Sequence, residues 1–511
     1  MCPLRCGVWL CTQHLHINDF EEIMALILRT SPLLLVGFTL FIGAACSSEE
    51  TKEETSADAA ASDSSIDDTA CNTIALEVAC EALAPAPTAR KESAALLLEQ
   101  AIPLRCGEEE GHLDVAPLLE LYGEHRVFAF GETHGTNEIG IFSALLFEEL
   151  AKRGLVNQLA IELPMDYGLA VEKWVRTGDE PLAQWVFDQV GRYDMWRILP
   201  ETARRLVEGG TPIRLVPIDV PFDGVEIPRR LLTSIANELS SQRDTLLSQM
   251  PTGEQPSVAE LDAFFDHVMG TKDAICAELS AARCEQMIAM THAFWVGGTM
   301  TETDSVMSNP LWFERREHVI HYNLKTALAE PGARMYLHAG AFHVDKTPAA
   351  GFASEHRLNE GWSSATSRLM HEDEGTRGAV FSISRAYAGG TNWYGDELHE
   401  IVADPPLVAR ALEGAPVPSF VSTRRPSDAC VSNPMSGEPD RNTGGNLADG
   451  YDGFVYLGTV TPSSRPEDAS MDPSMERRTF ARRTSATDFQ QARTLFERRR
   501  ALQVLEQSVL R

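Results

Sequence analysis

Between residues 94 and 346 the chain switches repeatedly between two spacings of apolar positions: short continuous runs, and longer stretches repeating every three to four residues. The first run, 126–130, reads as a strand and passes directly into Gly131-Glu-Thr-His-Gly-Thr-Asn-Glu138. Residues 139–150 then carry apolar positions at helical spacing before Lys152-Arg153-Gly154, a helix end. Leu159-Ala-Ile-Glu-Leu163 is the second strand, stopped by Pro164, and helical segments at 170–176, 182–190 and 201–208 lead to a third strand over 213–219. Residues 228–299 are mostly helical in pattern, 313–330 form another helix closed by Pro331-Gly332, and Met335-Tyr-Leu-His338 is the fourth strand. Later strands are expected at 379–384 and 454–459, separated by a Pro- and Gly-rich loop region at 405–450. Strands alternating with helices of about ten residues or more predict an α/β fold: a mainly parallel β-sheet flanked by helices, with a helical insert at 228–299 and a long loop region.

The flanks differ from this body. Met24-Ala-Leu-Ile-Leu-Arg29 leads into an apolar run over 33–42 and then Gly43-Ala-Ala-Cys46-Ser-Ser. A basic residue, an apolar stretch too short for a membrane span and small residues before a cysteine are similar to a bacterial lipoprotein signal, with Cys46 as the lipidated residue. Residues 1–46 are therefore expected to be a signal region whose true start is Met24, and the Cys and His residues of 1–23 match no standard zinc spacing. Residues 47–90 form an acidic tether, rich at first in Ser, Ala, Asp and Glu and too poor in apolar side chains to offset chain entropy. Residues 91–465 are expected to form the α/β domain, and 466–511 a helical tail carrying Arg478, Arg482, Arg483, Arg493 and 498–500, expected to pack on the acidic body.

A net charge of -30 argues against nucleic acid as partner, because phosphate backbones select basic patches. The expected partners are a small-molecule substrate and, through a lipid on Cys46, the membrane. The expected location is the bacterial cell envelope, facing the periplasm or exterior. Six cysteines remain downstream, Cys71, Cys80, Cys106, Cys276, Cys284 and Cys430, an even number that an exported protein can oxidise. Local pairing of Cys71 with Cys80 or of Cys276 with Cys284 closes the shortest loops, the alternative being small buried apolar residues.

The chemistry lies at the strand ends. Glu132 and His134 follow the first strand, Glu162 ends the second, Asp219 the third, and His338 with His343 the fourth. Adjacent parallel strands bring their carboxyl ends into one row, so residues far apart in sequence meet there. His134 is the expected general base for water, with Glu132 or Glu162 fixing its tautomer. Arg316, His338 or His343 is expected to stabilise a developing oxyanion. Set against this, Glu162 also reads as a partner of a buried arginine, and Asp219 as a strand-terminating cap. His318 and His321 read as packing or surface residues, and Trp174, Trp185 and Trp196 as core. No serine-nucleophile elbow, zinc helix, phosphate loop or dinucleotide loop occurs.

Gly131-Glu-Thr-His-Gly-Thr-Asn-Glu138, Leu159-Ala-Ile-Glu-Leu163, Met195-Trp-Arg-Ile-Leu-Pro-Glu201, Arg316-Glu-His-Val-Ile-His-Tyr-Asn323 and Tyr336-Leu-His-Ala-Gly-Ala-Phe-His343 occur in one order. In that order the chain resembles the erythromycin esterase-like family, within the wider superfamily that also holds ChaN haem-binding lipoproteins and Tiki proteases. The resemblance implies a hydrolase, with Glu132, His134, Glu162, Arg316 and Asn323 at matching positions and His338 as the first histidine of a later pair; the pair's second histidine would lie three residues on, whereas His343 lies five on, which implies either a two-residue insertion or a different role for His343. The short Glu132-Thr-His134 spacing is closer to the ChaN pattern, which implies haem or iron-compound binding as the alternative. The Tiki branch implies a divalent metal held by Glu132, His134, Glu162 and His338.

Overall fold

The computed structural model describes residues 90–104, 113–178, 194–220, 225–253, 255–299, 309–347, 363–394, 397–423, 435 and 446–463. All belong to the larger of two compact units, Cys71–Arg511. The signal region, nearly all of the tether, the tail, Trp185, and Cys71, Cys80, Cys106 and Cys430 lie outside the described residues.

Val127-Phe-Ala-Phe-Gly-Glu132 is buried at every position, which explains why its apolar run is continuous rather than alternating. The two faces of this strand feed different cores. Phe128 and Phe130 join Tyr336 and Phe381 on one face, whereas Val127 and Ala129 join Met335, Leu337 and Val380 on the other. The strand thus sits inside a mixed, mostly parallel sheet with helices on both faces.

Among the described residues the strands are β1 (Ile102–Pro103), β2 (Val127–Glu132), β3 (Gln158–Pro164), β4 (Arg214–Asp219), β5 (Met335–Gly340), β6 (Val380–Tyr394), β7 (Glu397–Asp404), β8 (Ser419–Ser422), β9 (Gly453–Tyr456) and β10 (Thr459–Val460). Their order is β1-β8-β9-β6-β2-β5-β3-β4, with β7 and β10 pairing to the long β6. The series β9-β6-β2-β5-β3-β4 is parallel, and β1, β8 and β7 enter antiparallel. The register sets Phe130 beside His338 and Glu132 beside Gly340. The α/β expectation is met.

The 228–299 stretch contains helices Glu226–Ala236, Arg243–Gln249, Val258–Cys276 and Ala281–Gly297. Ser257 and Glu260 form a reciprocal cap at the start of the third, and Ser280 accepts from Arg283 N–H at the start of the fourth. Cys276 and Cys284 are joined by a disulfide across the junction between these two helices, as their spacing predicts. Trp174 is buried in the core. No helix among the described residues is long and apolar enough to cross a membrane.

Two regions differ from the sequence expectation. The strand expected at 379–384 continues as β6 to Tyr394 through Gly389-Gly390 and folds back as β7. Both glycines have positive φ, 130° and 137°, and a Cβ on Gly390 would lie 1.9 Å from the Val460 carbonyl oxygen of β10. The pair permits a close strand approach instead of ending the strand. Within 405–450, expected to be loop, the chain forms the Pro406–Ala411 helix, β8 and a short Leu447–Gly450 helix. Four-residue elements are too short to show a period.

The disulfide closes a span of eight residues. On the chain-entropy scale such a loop is worth about 2.5 kcal/mol, so Cys276→Ser is expected to lower the unfolding free energy by roughly that amount in urea titrations under oxidising conditions. An unchanged midpoint would contradict the pairing.

Candidate active site

The carboxyl ends of β2, β3, β4 and β5 lie side by side, and the helix Pro310–Leu328 packs against β4. Arg316 projects from this helix between two strand ends. Its Nε and Nη2 donate to Asp219 Oδ1 and Oδ2, each at 2.7 Å, and Nη2 also donates to Glu162 Oε1 at 2.5 Å. Glu162 Oε2 accepts from the Gly340 N–H at 2.6 Å, which ties the end of β3 to the end of β5. Asp219 Oδ1 accepts in addition from the Val220 N–H at 2.8 Å. Asp219 is therefore more than a cap, being one half of the arginine clamp.

Beyond β2 the chain turns sharply. Glu132 Oε1 lies 2.6 Å from His134 Nδ1, and His134 Nε2 lies 3.9 Å from Glu162 Oε1. Gly135 makes the turn possible with φ +72°, where a Cβ would fall 2.1 Å from the Trp393 carbonyl oxygen. The Gly135 carbonyl accepts from Trp393 N–H at 3.2 Å and Ser463 N–H at 2.9 Å, and the His134 carbonyl accepts from Asn392 Nδ2 at 3.0 Å. On the other side of the turn, Arg385 Nε donates to Thr133 Oγ1 at 2.6 Å. The β6–β7 hairpin thus grips the turn, a role that the sequence reading did not assign.

The two later histidines join the same cluster. His338, on β5, stacks on Phe130 and places Nε2 3.8 Å from Glu132 Oε2, while its Nδ1 lies 2.8 Å from Ser143 Oγ. His343 returns to the site because Ala341–Val344 forms a 3-10 turn, leaving Nε2 3.4 Å from Glu162 Oε1 and Nδ1 2.5 Å from Glu317 Oε1. That last contact is an ion pair whose angles miss those of a hydrogen bond. Glu317 is fully buried, accepts from the Ala365 N–H at 2.7 Å and was missed in the sequence, although the Arg316-Glu317 doublet was its visible signal. All six expected site residues therefore converge. Asn323 instead donates to the Ile218 carbonyl below the sheet, and His321 pairs with Asp373 away from the cluster.

Charge is divided unevenly among these groups. Burial disfavours the charged form of His134, yet the carboxylates of Glu132 and Glu162 outweigh it and raise its pKa to about 9. Its side chain keeps 38% of its surface, so the ring remains reachable from solvent. His343 follows the same pattern, burial being overcome by Glu317 and Glu162, and is raised to about 10. For Glu162, burial works against ionisation, but His343, Arg316 and His134 hold its carboxyl well below the usual range. Burial dominates at His338 and lowers its pKa, only partly offset by Glu132. Near neutral pH His134 is thus an imidazolium and His338 a neutral imidazole. The expectation of His134 as a free base meets this charge directly.

Glu132, His134 and Glu162 offer ligand atoms within 4.8 Å of one another, the geometry of a metal site. Glu162 is the engaged member: both its oxygens accept hydrogen bonds, and the Arg316 cation touches it. A divalent ion would have to displace those bonds and sit beside that cation, whereas Glu132 Oε2 makes no hydrogen bond among the described residues and His134 Nδ1 is supported by Glu132 Oε1. A cavity of about 390 Å³ lies elsewhere, lined by residues including Trp174, Glu201, Arg204 and Glu208, and shares no residue with the cluster. The convergent titratable groups mark the site better than that cavity does.

No protein-family model and no curated protein sequence matches the chain. Solved structures do. A Bacillus cereus protein superposes with a TM-score of 0.56 at 15% identity, covering 74% of this chain and 99% of its own. A succinoglycan biosynthesis protein gives the same values. A mutant of erythromycin esterase EreC in its open conformation gives a TM-score of 0.53 at 14% identity, covering 71% of this chain and 98% of its own. The chain therefore has the erythromycin esterase-like fold that its motifs imply.

Replacing Arg316 by Met leaves Asp219 and Glu162 buried without their cation, and is expected to cost about 3–5 kcal/mol in urea unfolding. Combining it with Asp219→Leu is expected to recover part of that loss, whereas additive losses would contradict the clamp. For His134 and His343, folded pKa values above the usual imidazole value mean that their stabilisation is complete below about pH 6.5 and is lost as pH rises through about 9 and 10. Thermal midpoints are expected to fall between about pH 6.5 and pH 10, less so in His343→Asn. A wild-type midpoint flat across that range would contradict the charge assignment.

Proposed function

We propose that the protein is a hydrolase that cleaves an ester of a small molecule with water, without a covalent enzyme intermediate. The observation that carries this reading is a single carboxylate, Glu132, set between two imidazoles in opposite protonation states, His134 charged and His338 neutral. An acid and a base with pKa values pushed apart at one site are what ester hydrolysis requires. His134 supplies the acid, because it carries its proton near neutral pH and its ring is partly open to solvent. His343 and Arg316 keep Glu162 ionised, and Glu132 together with Glu162 holds His134 protonated. The shared fold with an erythromycin esterase supports the reaction class but not a macrolide substrate, since one fold hosts many substrates.

The setting in the cell belongs to the same proposal. The Met24 to Cys46 pattern supports export and lipid attachment at Cys46, which would hold the domain at the bacterial cell envelope on an acidic tether. The net charge of -30 supports a small-molecule partner over nucleic acid.

Against a panel of small esters and lactones, His134→Asn is expected to lower kcat by about 10²–10⁴-fold. The wild-type rate is expected to fall as pH rises through about 9, where the His134 proton is lost, and that alkaline limb should vanish in the variant. Full activity in His134→Asn would remove the proposal.

A further inference from the structure

A chain of buried polar contacts leaves the site on the far side of His338. Ser143, on the helix Asn137–Lys152, is fully buried, which denies it any role as a nucleophile. Its Oγ lies 2.8 Å from His338 Nδ1 and 2.7 Å from the Tyr336 hydroxyl, and that hydroxyl donates to the Ser143 carbonyl at 3.2 Å. The Ser143–Tyr336 contact permits either donor; with the single Tyr336 proton on the Ser143 carbonyl, the Tyr336 oxygen accepts from Ser143 Oγ–H. In that arrangement Ser143 Oγ has only lone pairs to offer His338, and Nδ1 carries the ring proton. His338 Nε2 is left bare.

On the site side, Glu132 Oε2 is buried and makes no hydrogen bond among the described residues. It lies 3.8 Å from His338 Nε2, too far for direct hydrogen bonding. Two acceptors at this separation repel unless a donor lies between them. One water at about 2.8 Å from each spans them with its two O–H bonds.

We propose that Ser143 and Tyr336 are positioning residues that hold His338 in its Nδ1–H tautomer, so that bare Nε2 and Glu132 Oε2 together seat the attacking water. This deepens the hydrolase reading and rests on it. The water oxygen bonds to the ester carbonyl carbon as His338 Nε2 takes its proton. The tetrahedral intermediate then expels the alkoxide, the carbon–oxygen bond breaks, and His134 Nε2–H protonates the leaving oxygen. His134 keeps its Nδ1–H against Glu132, so its Nε2 regains a proton from solvent, to which the ring is partly open, while His338 Nε2 returns its proton to solvent. The balance is ester plus water to acid plus alcohol.

The test is a long-range nitrogen–proton NMR correlation on the full-length labelled protein, with His338 assigned by His338→Asn. The wild type is expected to show His338 protonated at Nδ1 only. Ser143→Ala is expected to give a mixture of tautomers and a kcat lowered at least about tenfold, with KM changed less than about twofold. Tyr336→Phe, which keeps the buried ring, should move tautomer and kcat in the same direction. A wild-type His338 protonated at Nε2, or a tautomer unmoved in both variants, overturns the proposal, and the wild-type spectrum decides even if Ser143→Ala fails to fold. Absence of any ester hydrolysis by the wild type would instead sink the hydrolase reading while leaving the tautomer measured.

Discussion

The clamp of Arg316 by Asp219 and Glu162 is the constraint on which the rest of the rim depends. A buried carboxylate is costly unless it is paired, and four of them, Glu132, Glu162, Asp219 and Glu317, stand at the ends of adjacent strands or on the helix packed against β4. Arg316 meets two of these with three charge-assisted bonds. The remaining negative charge is balanced by His134 and His343, each held protonated by the carboxylates it faces. A rim built this way keeps its protons available but does not release them freely.

The division of protonation follows from where the elements stop. His134 lies past the end of β2, on a turn reachable from solvent and facing two acids, whereas His338 lies within β5, stacked on Phe130 where burial dominates. The same residue type acquires opposite charge states within one constellation because one sits beyond the sheet and the other in it. The hairpin of β6 and β7 secures the distinction by fixing the turn that carries His134.

Much of this was legible in the sequence because parallel strands have buried faces and functional ends. The runs at 126–130, 159–163, 213–219 and 335–338 revealed the strands, and the residues at their ends proved to share one rim. What stayed hidden had physical causes. Glu317 was overshadowed by its neighbour Arg316, since helical reasoning assigns consecutive residues to different faces, yet here both face the rim. Ser143 is a small polar residue on an apolar helix face, with no periodic signature. Gly389-Gly390 shows its purpose only through the close contact with β10. The protonation states were beyond the sequence altogether, because they depend on distances of a few ångströms between residues as many as 206 positions apart, such as Glu132 and His338.

The most direct test of the central claim is the NMR titration of the His134 and His338 rings in the same wild-type sample. The account predicts that His134 stays an imidazolium until about pH 9, while His338 remains neutral through and below the ordinary imidazole range. Both rings titrating together near about pH 6.5 would contradict it, since neither the clamp nor the burial would then be setting their charge.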